Sequence, residues 1–511
     1  MTAIQELVTR SLSGETTEEF LDRVAQQGES IVSRITDGEF ENDDFSVGME
    51  MEVYAVTTET HELRHLSEEV FESGATKELG LHNAEINTDP DVLDEAGLAR
   101  QAESIEQDFE RACKAVRAEG GHLVLDAMWT TPPEEGSERY LCDVALTDGV
   151  TIAQNMRPDP RYVALDNQAL AYAGGELEFS VPGVSRTFPT ILFESLATSI
   201  QPHLQIPNTE AFPAYYNAAI RTLGPVLALG TNSPFLPPDL YTDVDDPYEV
   251  IDQSHHELRI AVFEQSMNQS ANPKVRVPAD IHTPEDAIRH VLEDDLYAPF
   301  LREWITDAPR EGLSNAHWEY QYKRASFWRW LRCVVGGDSV SECCDKRSLR
   351  IEYRPIPTQP TVRDVVGMQV LTVGLIRGLV HTAHPLAELP WEDAERAFYN
   401  AATDGLSGDL AWITADGDRT SESEIIFDDL FAQARIGLAE SGVSESAIDR
   451  YLDPIERRVE TGVTPSIWKK NRVREGLDSG NSFTEAITEM QAEYIERSRE
   501  SEHFAEWGTL S

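Results

Sequence analysis

Residues 43–56 read DDFSVGMEMEVYAV, and two glutamates in that run, Glu50 and Glu52, are spaced to do chemistry together. A strand repeats every two residues, so Val47, Met49, Met51 and Val53 share one face while Gly48, Glu50, Glu52 and Tyr54 share the other. Two carboxylates about 7 Å apart on one sheet face repel each other unless water or a cation screens them. The pattern admits two readings, a solvated acidic face or a metal site.

The same alternation returns in four later stretches. LHNAEINTDP (81–90) puts Glu85 and Asn87 opposite Ala84 and Ile86, and TSIQPHLQIP (198–207) puts His203 and Gln205 opposite Leu204 and Ile206. HHELRIAVFE (255–264) reads as a strand with Glu257 and Arg259 opposite Leu258 and Ile260. SLRIEYRPIP (348–357) sets Arg350, Glu352 and Arg354 against Leu349, Ile351 and Tyr353. Apolar-in, polar-out strands of this kind build antiparallel sheets. A merely wet face would collect Asp, Glu and Thr at random, whereas these gather Glu, His, Gln, Asn and Arg with almost no Lys. Carboxylate oxygens are ligands for Mg²⁺, which takes one or two protein carboxylates plus substrate phosphates. Guanidinium forks suit phosphate or carboxylate oxygens. A sheet carrying both could hold ATP and metal. The chain has no G-x-x-x-x-G-K-[ST] and no G-x-G-x-x-G, and VVGGDSV (334–340) is too short for a phosphate loop, so metals and Arg would have to do the holding.

The elements that must position these residues can be read coarsely. Residues 1–42 look helical, with TTEE (16–19) as a capping box and Phe20, Leu21, Val24, Ile31 and Ile35 at roughly helical spacing. A long amphipathic helix over 96–120 ends in Gly120-Gly121 and leads into an expected strand, HLVLDAMW (122–129), stopped by TTPP. VVGMQVLTVGLI (365–376) carries Gln369 between Arg363, Asp364 and Arg377, so it reads as a buried helix and not a membrane span. From PWEDAERAF (390–398) onward the pattern is almost all helical, with Ser446 as a cap and a turn at TGVTP (461–465). The expected class is α+β, a mainly antiparallel sheet with helices outside and a helical C-terminal part. No repeat or linker divides it.

Acidic groups number 91 against 42 Lys+Arg, a formal charge of -49, and only seven of the basic residues are Lys. Acid-rich, Lys-poor composition suits a salt-filled cytoplasm, where self-repulsion is screened, and it opposes nucleic-acid binding. Cys113, Cys142, Cys333, Cys343 and Cys344 form no C-x-x-C, and no signal peptide opens the sequence, so a reduced, cytoplasmic chain is expected.

Taken in order, five segments resemble the glutamate–cysteine ligase superfamily, carboxylate–amine ligases with a glutamine-synthetase-like sheet. They are VGMEMEVYAV, AEINTDP, SIQPHLQI, LALGTNSPF (227–235) and IEYRPIPTQPTV (351–362), with weaker matches at PRYVAL (160–165) and WKKNRV (468–473). The resemblance implies a curved sheet forming a funnel, with a helical segment over 1–42, a catalytic α+β domain over 43–380 and a helical part over 381–511. It implies Mg²⁺, with Mn²⁺ as the alternative, held by Glu50, Glu52, Glu85 and Glu352 against ATP phosphates. His203 would line the same site, against metal or phosphate. Arg354, with Glu352, would act in phosphoryl transfer, and Gln205, Arg259 and Arg350 would contact nucleotide or substrate carboxylates. Glu352 and Arg354 would stand on the wall opposite Glu50 and Glu52. The five Cys would be structural, Cys343 and Cys344 included. The implied substrates are glutamate and cysteine, or glutamate and another amine, for a monomer or homodimer; a non-catalytic nucleotide-binding member is the other reading. The chain departs from the family pattern at DAMWTTPP and NTDP, which bears on the amine acceptor more than on the ATP site.

Overall fold

The computed structural model describes residues 2–242, 244–307, 309, 311–338 and 346–508. Cys343 and Cys344 lie outside the described residues. Two helices, α1 (Thr2–Leu12) and α2 (Thr17–Thr36), precede β1 (Ser46–Thr57). Thr16 caps α2 by position but its side chain accepts no capping hydrogen bond, so the expected box is not formed.

The central sheet has eight strands and is antiparallel throughout. After β1 come β2 (Thr76–Lys77), β3 (Asn83–Asn87), β4 (Asp91–Val92), β5 (Gly121–Val124), β6 (Ile200–Gln205), β7 (Leu331–Asp338) and β8 (Arg347–Tyr353). The order is β7-β8-β6-β1-β3-β2, with β4 and β5 also paired to β1. One strand therefore carries most of the pairing. Its apolar side behaves as the alternation requires: Met49, Met51 and Val53 are at most 2% exposed, while Glu50 and Glu52 are half-buried on the other face.

Helices α3 (Glu95–Ala118), α4 (Pro160–Ala173), α5 (Phe212–Gly230), α6 (Leu258–Met267) and α7 (Val362–His381) pack around this sheet. Helix α7 is long and apolar enough to cross a membrane, yet 83% of its apolar window is buried inside the protein; it is a core helix. Its Gln369 Nε2 donates to Gly48 O at 3.1 Å, which ties it to β1. Next to it runs α8 (Ser423–Glu440), so close that a Cβ on Gly437 would collide with Gly374 O. The C-terminal part continues in α9 (Glu445–Thr461), α10 (Pro465–Asp478) and α11 (Phe483–Glu500). The cap before α9 is Ser444, and Ser446 lies inside the helix. Buried charge anchors these helices: Lys469 pairs with Asp126 at 2.5 Å and Arg458 with Asp364 at 3.0 Å, all four at most 1% exposed.

Two expected strands are corrected. Residues 258–267 are helix α6, because Leu258, Ile260, Val262, Phe263 and Met267 are buried on almost every side of it and short alternation cannot separate that from a strand. The 122–129 strand ends at Val124: Leu125 O accepts from Tyr494 Oη at 3.0 Å, and Asp126 turns inward to meet Lys469.

Candidate active site

Register on the polar face of the sheet decides which side chains meet. Glu352 on β8 lies opposite both Arg332 on β7 and His203 on β6, and His203 lies opposite Gly48 on β1. One step along, Glu50 faces Gln201 on one side and Asn87 on the other; a further step brings Glu52 against Glu85. Directly opposed residues share a face. Glu50, His203 and Glu352 thereby place their ligand atoms within 4.8 Å of one another. Glu352 and Arg354 are thus not on a facing wall: β8 is separated from β1 by β6 alone, and Glu352 stands beside Glu50.

A dense hydrogen-bond lattice holds this half. Arg332 Nε donates to Glu352 Oε2 at 2.6 Å, while Arg354 Nη1 donates to Glu352 Oε1 and to Gln201 Oε1. Gln201 Nε2 in turn donates to Glu52 Oε1 at 3.1 Å, and Glu52 Oε2 accepts from the Ser199 amide at 2.7 Å. Arg350 Nε donates to His203 Nδ1 at 2.9 Å. A guanidinium cannot accept, so Nδ1 is the acceptor and the ring proton of neutral His203 sits on Nε2, 3.2 Å from Glu50 Oε1. His203 faces Glu50 as a donor; it can offer Nε2 to a metal only when Arg350 moves aside.

Two cavities meet at Glu50. The smaller, about 180 Å³, is lined by Glu50, Glu52, Glu78, Glu85 and Glu194, by Arg161, Arg332, Arg354 and Gln201, and by Tyr162, Phe263 and Trp328. The larger, about 580 Å³, runs along β1 from Ser46 to Glu50 and takes in Asn87, Thr88, His203, Gln205 and Arg350. Helix α4 builds one wall of the smaller cavity. Its Asp166 accepts from the Ile191 amide at 2.8 Å and from Thr190 Oγ1 at 2.9 Å, fixing the 3-10 turn Ile191–Leu196 that presents Glu194.

The electrostatics divide the carboxylates into two groups. Burial works against the charge on Glu352, but Arg332, Arg354 and His203 outweigh it and hold this acid well below the usual range. Burial likewise opposes ionised Glu50, and its net shift is still downward, through His203 and then Arg332. Across the cavity the balance reverses. Burial, then the charges of Glu50 and Glu52, push Glu85 up to about 7; burial and Glu52 push Glu194 up to about 8. Glu78 is driven well above the carboxylate range by burial and by Glu85, Glu52, Glu194 and Glu50, and Glu52 is raised by burial. Oxygen donors this crowded fit hard divalent cations, whose charge would supply what the protein does not.

Of the residues singled out in the sequence, Glu50, Glu52, Glu85 and Arg354 line the smaller cavity, and His203, Gln205 and Arg350 line the larger with Glu50. Glu352 lies against His203, Arg332 and Arg354 at their junction. Arg259 is brought to neither. It opens helix α6, fully packed, and its guanidinium donates to Arg354 O at 3.3 Å and to Pro355 O, over the Trp330 ring. It props the backbone just past β8. Sequence reasoning missed Glu78, Glu194, Arg332, Gln201, Arg161 and Tyr162. Gln201 was within reach, two residues before His203 on the same strand face, and Arg161 and Tyr162 sit in the quoted PRYVAL.

One solved protein superposes on this architecture, and a second aligns along most of its length. A bifunctional glutathione synthetase from Pasteurella multocida superposes with a TM-score of 0.50 at 13% identity, over 89% of this chain and 52% of that one. The glutamate–cysteine ligase of Francisella tularensis, solved in complex with AMP, aligns over 91% of this chain and 90% of its own at 11% identity and a TM-score of 0.46. No curated protein matches the sequence. The class is that of the ATP-dependent carboxylate–amine ligases. Residues 46–501 match the model of glutamate-cysteine ligase family 2 (GCS2), and the chain belongs to that family.

Proposed function

We propose that the protein joins the carboxylate of glutamate to the amine of cysteine, forming γ-glutamylcysteine through an acyl phosphate at the expense of ATP. The observation that carries this reading is the triad Glu50, His203 and Glu352, with ligand atoms within 4.8 Å, flanked by Arg332 and Arg354. A carboxylate is a poor acyl donor. Its oxygen attacks the γ-phosphorus of ATP and ADP leaves; the amine nitrogen then attacks the acyl carbon and inorganic phosphate leaves. Such transfer needs neutralised charge and aligned reactants more than a nucleophilic side chain. That accounts for a site of carboxylates and guanidiniums with no cysteine among the described residues that line it.

The roles follow from position. The larger cavity suits the nucleotide, with Gln205 and Arg350 along it and His203 donating toward phosphate oxygens. Glu50 and Glu352 would hold one divalent ion, and Glu52, Glu85 and Glu78 a second. Bound there, Mg²⁺ supplies positive charge to the phosphate oxygens as the phosphoryl group moves. Arg354, fixed on Glu352 and Gln201, presents its guanidinium to the transferring group. Glu194 stands apart from the metal-facing strands and takes the proton that the acceptor ammonium must lose before attack.

The test is ADP release in concentrated KCl with Mg²⁺ across a panel of amino acids and amines. Release that requires glutamate and rises with cysteine supports the reading. Release that needs glutamate but is not increased by cysteine assigns another amine. No release under any pairing removes catalysis altogether.

A further inference from the structure

Glu194 is the one half-buried residue of the turn Ile191–Leu196; Ile191, Leu192, Phe193, Ser195 and Leu196 are all buried. Among the described residues its carboxyl accepts no hydrogen bond and joins no ion pair. Where that carboxyl points is therefore decided by the backbone beneath it.

Two donors converge on that backbone. Ser195 O accepts from His82 Nε2 at 3.0 Å and from Trp129 Nε1 at 3.1 Å. A carbonyl oxygen only accepts, so Nε2 carries the ring proton of His82, and Nδ1 accepts from Tyr140 Oη at 2.8 Å. Burial pushes this imidazole down to about 3, which keeps it in that neutral form. His82, Trp129 and Tyr140 are at most 2% exposed and meet edge to face, with ring centroids between 5.5 and 6.3 Å apart. A carbonyl has two lone pairs, and filling both fixes the Ser195–Leu196 peptide plane, one residue from Glu194.

The two donors come from separate parts of the chain. His82 stands just before β3, the strand of Glu85, and its carbonyl accepts from the Ala55 amide of β1 at 3.1 Å. Trp129 ends the DAMW run, and its amide donates to Leu196 O at 3.1 Å. The turn that carries Glu194 is thus tied to the sheet that carries the other carboxylates. Neither His82 nor Trp129 lines a catalytic cavity.

We propose that His82 and Trp129 are positioning residues for amide-bond formation: by holding Ser195 O they set the turn so that Glu194 faces the acceptor ammonium in the smaller cavity. The inference rests on the ligase reading and on Glu194 as the proton acceptor. The step served moves one proton from the acceptor ammonium to the Glu194 carboxylate. The freed lone pair forms the C–N bond as the C–O bond to phosphate breaks.

The test compares two nucleophiles in the full-length protein with ATP, Mg²⁺ and glutamate. One is the acceptor that the amine panel identifies, cysteine on the reading above. The other is hydroxylamine, which is uncharged at neutral pH and needs no base to attack. His82→Leu should lower kcat/KM for the acceptor about tenfold and that for hydroxylamine by less than about twofold, with KM for ATP unchanged. His82→Gln puts an amide N–H where Nε2 stood and should restore the acceptor value to within about threefold of the parent. Trp129→Phe removes the N–H and keeps a ring, so it should show the same selective loss at about threefold. It carries the test if the melting temperature shows His82→Leu unfolded. Equal losses with both nucleophiles, no loss in either variant, or a His82→Gln protein as impaired as His82→Leu would each overturn the proposal while leaving the ligase reading in place. A parent that releases no ADP with any amine removes that reading, and the proposal falls with it.

Discussion

Two sides of one site, arranged around the polar face of one sheet, treat the same side chain in opposite ways. Toward β6, β7 and β8, Glu352 receives two guanidiniums and sits beside the Nε2 face of His203, so its charge is balanced inside the protein. Toward β2 and β3, Glu78, Glu85 and Glu194 receive almost no basic partner, and burial drives all three toward the neutral form. The balanced half is complete as it stands. The acidic half gathers carboxyls with little positive charge to balance them, which supports the cation-holding role proposed for it above.

The largest expected effect tests the balanced half. Arg354→Ala should lower kcat by about a hundredfold or more, the scale for losing a positive group aimed at developing charge, with a smaller change in KM for ATP. Steady-state kinetics at saturating glutamate check it. A variant that only raised KM would move this arginine into ground-state binding and erase the distinction between a catalytic and a purely electrostatic role.

Stability should separate the halves by sign. Glu352→Gln takes away the negative charge between Arg332 and Arg354 and turns one of its two acceptor oxygens into a donor, which should cost the metal-free protein about 3 kcal/mol. Glu78 must take up a proton to be buried, and Glu78→Gln removes that cost, so it should stabilise the metal-free protein by about 1 kcal/mol at neutral pH while reducing the stabilisation gained from Mg²⁺. Chemical denaturation with and without metal measures both. The same sign for the two variants would sink the comparison.

The pH dependence follows from the same split. Glu85 and Glu194 titrate near 7 and 8 in the folded chain, above their unfolded value, so the folded state binds more protons between about pH 4.5 and 8. Their share of stability is whole below the unfolded value and is lost as pH rises through 7 and 8. Glu352 is shifted the other way: its contribution is present above the unfolded value and lost as pH falls through its lowered folded one. Metal-free protein should therefore lose melting temperature between pH 5 and 8, and Glu85→Gln or added Mg²⁺ should flatten that slope. A slope that survives both assigns the loss elsewhere.

The difference between the halves also marks what could be read from the sequence. Glu50, Glu52, Glu85, His203 and Glu352 all sit in strands that alternate cleanly, and parity alone puts them on one face. The α+β class and the curled antiparallel sheet were legible for the same reason. Arg259 was misread because five or six alternating residues look alike in a strand and in a helix buried all round. Glu78 follows the two-residue strand β2 and Glu194 rides a 3-10 turn, so neither belongs to a period that a sequence shows. Their place depends on long-range contacts such as Asp166 to Ile191. What escaped was the acidic half above all, and with it the adjacency of Glu352 to Glu50, which only strand order decides.

The smallest expected effect sharpens the position of His203 between the halves. Arg350→Ala removes the donor that fixes Nδ1 as an acceptor, and His203 can then carry its proton on Nδ1 and turn an Nε2 lone pair toward Glu50 and Glu352. Imidazole suits Mn²⁺ better than Mg²⁺. The variant should raise KM for ATP about tenfold, through the lost guanidinium, while kcat stays within about twofold. The ratio of Mn²⁺-supported to Mg²⁺-supported activity should rise at the same time. If KM rises and the metal ratio does not move, His203 faces phosphate and belongs wholly to the balanced half; if the ratio moves alone, Arg350 serves the histidine and not the nucleotide.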